Sequence, residues 1–190
     1  MSTLKTQIIQ PAKGKILVAE PFMRDFYFHR SVVLLAEHND DGTFGLVMNK
    51  LVQIKLNEVV KGFPDFEAPV YLGGPVKTDS LFFIHTLGEL IPESMEIIKG
   101  IYWGGDIDLV QEMIFHKKIK PADIRFYVGY SGWEVNQLGH ELEEHSWVVS
   151  DITAKELLKN QPQKMWKNSV KLLGKKYHEW VNYPLDPVLN

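Results

Sequence analysis

Ser31-Val-Val-Leu-Leu-Ala-Glu-His-Asn-Asp-Asp-Gly-Thr-Phe-Gly-Leu-Val-Met-Asn49 sets two apolar runs on either side of a turn cluster. Ser31 to Glu37 is apolar without alternation, which suits a strand covered on both faces. His38-Asn-Asp-Asp-Gly42 supplies turn residues, and Thr43 to Asn49 returns as a second strand. Two such runs joined by a short Asn/Asp/Gly segment predict a β-hairpin.

Upstream of the hairpin, Ile16 to Glu20 is a brief strand-like run ended by Pro21. Downstream, Asn57 is placed to cap a short helix carrying Val59, Val60 and Phe63, which stops near Gly62 and Pro64. Val70 to Leu72 and Leu81 to His85 read as strands separated by Gly73-Gly-Pro75, and Glu96 to Trp103 reads as one strand broken by Gly104-Gly105. Asp106 caps a helix whose Leu109, Val110, Met113 and Ile114 share a face, ending at Lys117-Lys118. Ile124 to Tyr130 alternates, which puts Ile124, Phe126, Val128 and Tyr130 on one face. Gly129 to Gly132 is expected to turn the chain into a helix over about Val135 to Glu144, before a last strand at Trp147 to Val149.

The tail changes character at a seam near Ser150. Thr153 and Glu156 have capping-box spacing, and the helix they begin should end near Asn160-Gln-Pro162. In a second helix, Trp166, Val170, Leu173, Tyr177 and Trp180 form one apolar stripe, while Lys164, Lys167, Lys171 and Lys175 repeat on another face. Strands mixed with helices, closed by helices, predict an α+β fold rather than a regular βαβ array. The expectation is a single domain over 1–190, with a body at about 14–149 and a helical C-terminal extension of two helices at about 150–190.

Composition excludes several chemistries. The 190 residues include no cysteine, which removes disulfides, zinc ribbons, iron–sulfur clusters and thiol catalysis together. A formal charge of −3 gives no global positive field for nucleic acid. The longest apolar run is Val32 to Ala36, against roughly 20 residues for a bilayer span. The N-terminus lacks a secretory h-region, so the expectation is a cytoplasmic protein with no membrane partner.

Motif chemistry is sparse. In His140-Glu-Leu-Glu-Glu-His145 the histidines are five apart, rotated by about 140° around a helix, whereas a zinc-protease pair is four apart. Glu141 with His145, and His140 with Glu144, would share a helix face, but neither pair has a third ligand in view. No metal and no cofactor is expected. Ser131 lies in Gly129-Tyr-Ser-Gly-Trp133, but Trp133 fills the position where a nucleophile elbow needs a small residue. Gly73-Gly74 and Gly104-Gly105 lack the remaining residues of a phosphate loop, and Asp106 puts negative charge where a phosphate would sit. Lys117-Lys118-x-Lys120 and the tail lysines offer phosphate contacts, yet the three arginines, Arg24, Arg30 and Arg125, are not clustered. His38, Asn49 and His85 fall at predicted strand ends, where clefts form. Trp133 and Gln137 lie four residues apart, a pair that can pin a loop.

These residues resemble the YqgE/AlgH family, whose members are mostly uncharacterised or labelled transcriptional regulators. The matching blocks are Asp25 through His38 with Gly42, Gly45 and Asn49; Gly73-Gly-Pro-Val76 with Phe83-Ile-His85; and Gly129-Tyr-Ser-Gly-Trp133 with Gln137-Leu138, Glu141 and Trp147. The chain departs from the family's pattern at Val135-Asn136 and at Ser80, where an arginine is common. The resemblance implies a curled, largely antiparallel sheet flanked by helices, and it brings no established reaction.

The candidates for binding an unidentified protein or small-molecule partner are therefore His38, Asn49, Gly73, Gly74, Pro75, His85, Trp133 and Gln137. The preferred reading is a non-enzymatic binding protein with an indirect regulatory role. Two alternatives stand beside it. One is a DNA-binding regulator using Lys164, Lys167, Lys171 and Lys175. The other is a hydrolase or transferase with His38 and His85 as acid/base groups in one cleft, which requires both imidazoles within reach of a shared reacting atom.

Overall fold

The computed structural model describes residues 9–159 and 161–184. Asn160, expected near the end of the first tail helix, lies outside the described residues. Ten strands make up the sheet: β1 (Ile16–Ala19), β2 (Val32–Asn39), β3 (Gly42–Val47), β4 (Leu51–Val52), β5 (Val70–Leu72), β6 (Val76–His85), β7 (Met95–Ile98), β8 (Ile101–Trp103), β9 (Ile124–Trp133) and β10 (Trp147–Ser150). Its main path runs β10-β1-β2-β3-β9-β6-β8-β7, with β5 joining β4 and β9. The pairings along that path are antiparallel, while β5 runs parallel to β9. The helices are α1 (Leu56–Val59), α2 (Ile107–Phe115), α3 (Gln137–Glu143), α4 (Ala154–Lys159) and α5 (Pro162–Leu172), followed by a 3₁₀ helix at Lys175–Asn182. The result is the α+β architecture that the sequence predicts, C-terminal helices included.

The hairpin at the centre of the prediction is β2–β3, with Asn39 opposite Gly42. Its unbroken apolar run is explained by burial on both sides. Val32 and Leu34 join Ile16 and Val18 in a core layer closed by Leu157 of α4 and by Met165, Trp166 and Val170 of α5. Val33 and Leu35 join Leu17 and Ala19 in a second layer with Trp133, Leu138 of α3 and Trp147. A third layer packs α1 and α2 on β5, β6 and β9 through Leu56, Val110, Ile114, Phe83 and Phe126. The sheet curls. Gly14, at φ 83°, donates its N–H to the Leu35 carbonyl at 2.8 Å, while a Cβ there would strike Ile97 and Ile98 of β7. Strands far apart in sheet order therefore meet at Gly14. Among the described residues, no helix is long and apolar enough to cross a membrane.

Five local expectations need correction. Glu96 to Trp103 is not one strand: the chain reverses at Lys99-Gly100, with Gly100 at φ 85° and its N–H held by the Glu96 carboxylate at 3.0 Å, giving β7 and β8. Asn57 lies inside α1, and the N-cap is Lys55, whose N–H is taken by Glu58 at 3.1 Å. Gly129 to Gly132 is not a turn, because β9 continues to Trp133. Gly129 sits at φ 70° and shifts the alternation, so Tyr130 leaves the face of Phe126 and Val128 and packs in the layer of Tyr127. Helix α3 begins only at Gln137, after Asn136 at φ 65°. The tail stripe is likewise not one helix: Gly174 at φ 100° ends α5, and Tyr177 and Trp180 reach the same core layer from the 3₁₀ helix. The capping box does form, with Thr153 and Glu156 each holding the other's N–H, at 2.8 and 3.2 Å.

Candidate functional site

The Gly73-Gly-Pro75 motif is where the chain crosses β9. Strand β5 ends opposite Val128 on one edge of β9, and β6 begins opposite Tyr130 on the other edge. Three residues must pass over Gly129, backbone against backbone. A Cβ on Gly73 would collide with the Gly129 carbonyl oxygen, and one on Gly74 would collide with the Tyr130 backbone. The Gly73 N–H donates to the Val128 carbonyl at 2.8 Å. Its carbonyl accepts from the Val47 N–H at 2.8 Å and from the Ser131 hydroxyl at 3.0 Å. The backbone groups of Gly73 are thus taken up by the fold, which leaves no free phosphate cradle there, and Ser131 is fully buried with its hydroxyl donated to Gly73, which is no place for a nucleophile.

Asn49 is a clasp. Its carboxamide oxygen accepts from the Val32 N–H at 2.9 Å, and its NH₂ donates to the Arg30 carbonyl at 3.0 Å. His38 faces Thr43 across the hairpin, with Nδ1 2.7 Å from the hydroxyl. His85 is 1% exposed and stacks on Tyr102 at 5.7 Å and 17°. Its Nε2 must donate to the Gly104 carbonyl at 3.1 Å, since a carbonyl only accepts, so Nδ1 is free to accept the Leu87 N–H at 3.2 Å. Burial pushes the pKa of His85 down, partly opposed by the bond to Gly104, and the ring is held neutral.

The two histidines do not share a cleft. His38 pairs with Thr43, which pairs with Trp133 at one end of β9, whereas His85 pairs with Ile124 at the other end. Nine strand steps of ~3.3 Å separate those ends, about 30 Å in all. The shared cleft that the hydrolase or transferase alternative requires of His38 and His85 is therefore not formed.

Trp133 and Gln137 do come together, through a residue absent from the candidate set. Glu141 Oε2 accepts the indole N–H of Trp133 at 2.8 Å and that of Trp147 at 2.7 Å, while Oε1 accepts from Gln137 at 2.9 Å. Gln137 in turn accepts the Glu134 N–H at 3.0 Å. Phe28 closes the cluster, stacked on Trp133 at 6.0 Å and edge-on to Trp147 at 5.3 Å. The Glu141 carboxylate, expected to share a helix face with His145, is thus already taken, and His145 lies beyond α3 at φ 61°, off the helix face. Among the described residues no group of three His, Asp or Glu side chains is placed to hold a metal. The sequence signal for Glu141 was its four-residue step from Gln137.

Lys164, Lys167, Lys171 and Lys175 are all exposed. Two surface clefts, of about 270 and 610 Å³, flank the ridge Pro64–Glu67 between α1 and β5. The ridge is anchored by Phe63, buried edge-on against Phe126 at 5.6 Å. The larger cleft lies between the ridge and the end of α2. Its apolar lining includes Phe66, Ile114, Ile119 and Pro121, with Phe115 74% exposed at its side. Neither the eight candidate binding residues nor the four tail lysines line either cleft, whereas Lys117, of the Lys117-Lys118-x-Lys120 patch, lines the larger one.

Comparison with known proteins places this architecture. A family profile described as AlgH-like matches residues 16–178. The chain is similar to a UPF0301 protein of Parabacteroides distasonis, 45% identical over 184 residues that cover 96% of this chain and 93% of the relative. It is also similar to a UPF0301 protein of Cytophaga hutchinsonii, 42% identical over 94% of this chain and 98% of the relative. Among solved structures, the solution structure of the AlgH protein from Pseudomonas aeruginosa aligns with a TM-score of 0.72 at 26% identity, covering 93% of this chain and 97% of that one. A crystal structure of a Corynebacterium diphtheriae protein aligns at 0.75 and 20% identity, over 92% and 94% of the two chains, a likeness of fold.

Proposed function

This chain belongs to the AlgH-like family, and on that premise we propose that it is a non-enzymatic, cytoplasmic, partner-binding protein whose effect on gene expression is indirect. The observation that carries this reading is the apolar cleft beside Phe115. Exposed apolar surface next to a groove is the usual mark of a site for another molecule. The motif residues point the same way by elimination: Asn49, Gly73, His85 and Trp133 spend their polar groups on the fold itself. The partner is a protein that presents an apolar side chain to Phe66, Ile114 and Ile119.

Affinity capture from cell extract tests this with the full chain and two surface variants. Phe115→Glu disables the cleft, and Phe26→Glu alters a phenylalanine that is 77% exposed but outside it. The expected result is a protein retained by the parent and Phe26→Glu and lost by Phe115→Glu. Retention by all three removes the cleft from the account. A second reading, DNA binding, is favoured by the exposure of the four tail lysines. It predicts salt-sensitive retention of DNA fragments that disappears when all four are changed to glutamate.

A further inference from the structure

Arg30 holds the end of the described chain. It adopts φ 48° and is 8% exposed, with its guanidinium 4.8 Å above the Trp166 ring. Trp166 is itself fixed by its indole N–H, which donates to the Ala19 carbonyl at 2.8 Å. From this platform Arg30 Nη2 donates to two successive carbonyls, of Tyr183 at 2.6 Å and Pro184 at 2.7 Å. The Tyr183 ring stacks on Phe22 at 5.0 Å and 28°. The backbone at Tyr183 has φ −64° and ψ 139°, the polyproline II conformation.

Each of these contacts reads conformation rather than identity. Main-chain carbonyls and one ring face are recognised, so any extended segment with an aromatic residue before proline would fit. Grooves that dock extended proline-containing segments are lined by aromatic side chains, and Phe22 supplies such a surface here. The resident segment also fills the site incompletely. Among the described residues, the buried Arg30 Nε has no acceptor, a deficit that a better-matched segment would relieve. We propose that the Arg30–Trp166–Phe22 groove is a binding site for an extended aromatic–proline segment of a partner polypeptide, and that Tyr183-Pro184 occupies it when the partner is absent. This site is separate from the cleft beside Phe115 and does not depend on it.

The resident tail competes at an effective concentration in the millimolar range, so loosening it should uncover the site. The test uses the full chain and a fluorescent peptide, Tyr-Pro-Leu-Asp-Pro-Val-Leu-Asn, the sequence of residues 183–190. Fluorescence anisotropy should show that Tyr183→Ala binds this peptide roughly tenfold tighter than the parent chain. A peptide with alanine for its tyrosine should not bind. Adding Phe22→Ala, a change in an exposed loop that leaves the core intact, should abolish the gain. Equal affinity of the parent and Tyr183→Ala, or a gain untouched by Phe22→Ala, overturns the proposal.

Discussion

Replacing Glu141 by leucine removes the shared acceptor of two buried indoles. Trp133 is 4% exposed and Trp147 is 3% exposed, so neither N–H can turn to bulk water without opening the cluster. A buried donor left unpaired costs about 1–3 kcal/mol. Two such donors give about 2–6 kcal/mol, and partial access of water where Glu141 is half-buried places the result toward the lower half, near 3 kcal/mol. That is a large share of the 5–15 kcal/mol that holds a typical domain together. For a chain of this length it corresponds to a fall in Tm of roughly 6–12 °C. Glu141→Gln keeps one oxygen for both indoles but turns its NH₂ toward the Gln137 NH₂, so it loses the charge assistance and that bond and should cost about 1–2 kcal/mol. Urea denaturation followed by tryptophan fluorescence measures both values. The indole N–H resonances of Trp133 and Trp147 should move together in either variant, since one oxygen holds both. A Glu141→Leu protein as stable as the parent, with both resonances unmoved, would refute the claim that this carboxylate ties β9, α3 and β10 together.

The crossing at Gly73 and the open helix position at Gly139 make an opposed pair. Gly73→Ala forces a Cβ into the Gly129 carbonyl and should cost about 3 kcal/mol. Gly139→Ala has no neighbour within 4 Å inside α3 and should stabilise by about 0.5–1 kcal/mol, both read by thermal denaturation. Because burial sets the pKa of His85 below the usual 6.5, the unfolded chain takes up the proton first as pH falls. Stability is then lost as pH drops below 6.5 toward the lowered value, and His85→Gln should flatten that part of the pH–stability curve. Thr153→Ala breaks the capping box of α4 and should cost about 1 kcal/mol, visible as faster amide exchange in the first turn of α4.

Local signals carried the parts of the fold that are decided locally. The β2–β3 hairpin was readable because Asp40-Asp41-Gly42 interrupts two apolar runs, and the caps at Asp106 and Thr153 because a side chain there meets its own helix. What stayed hidden depends on partners distant in sequence. The face change at Gly129 follows from a crossing strand more than 50 residues upstream, a separation that no periodicity records. Glu141 was in view as a helical neighbour of histidines and as part of the family-like block, without a role, because its partners Trp133 and Trp147 arrive from two strands. Arg30 looked isolated because the carbonyls it holds lie at the far end of the chain. The clefts beside Pro64–Glu67 had no motif, since a groove is a property of packing rather than of residue type. The glycines, histidines and tryptophans that mark the family were legible as a set, but their structural role was not.

Site-specific photo-crosslinking in living cells reports what occupies the cleft beside Phe115. A photoreactive phenylalanine analogue is placed in turn at Phe115, at Phe26 and at Lys167, all exposed. Partner binding at the cleft predicts a discrete protein adduct from position 115 and none from 26 or 167. A nucleic-acid adduct from position 167, with nothing from 115, would contradict it.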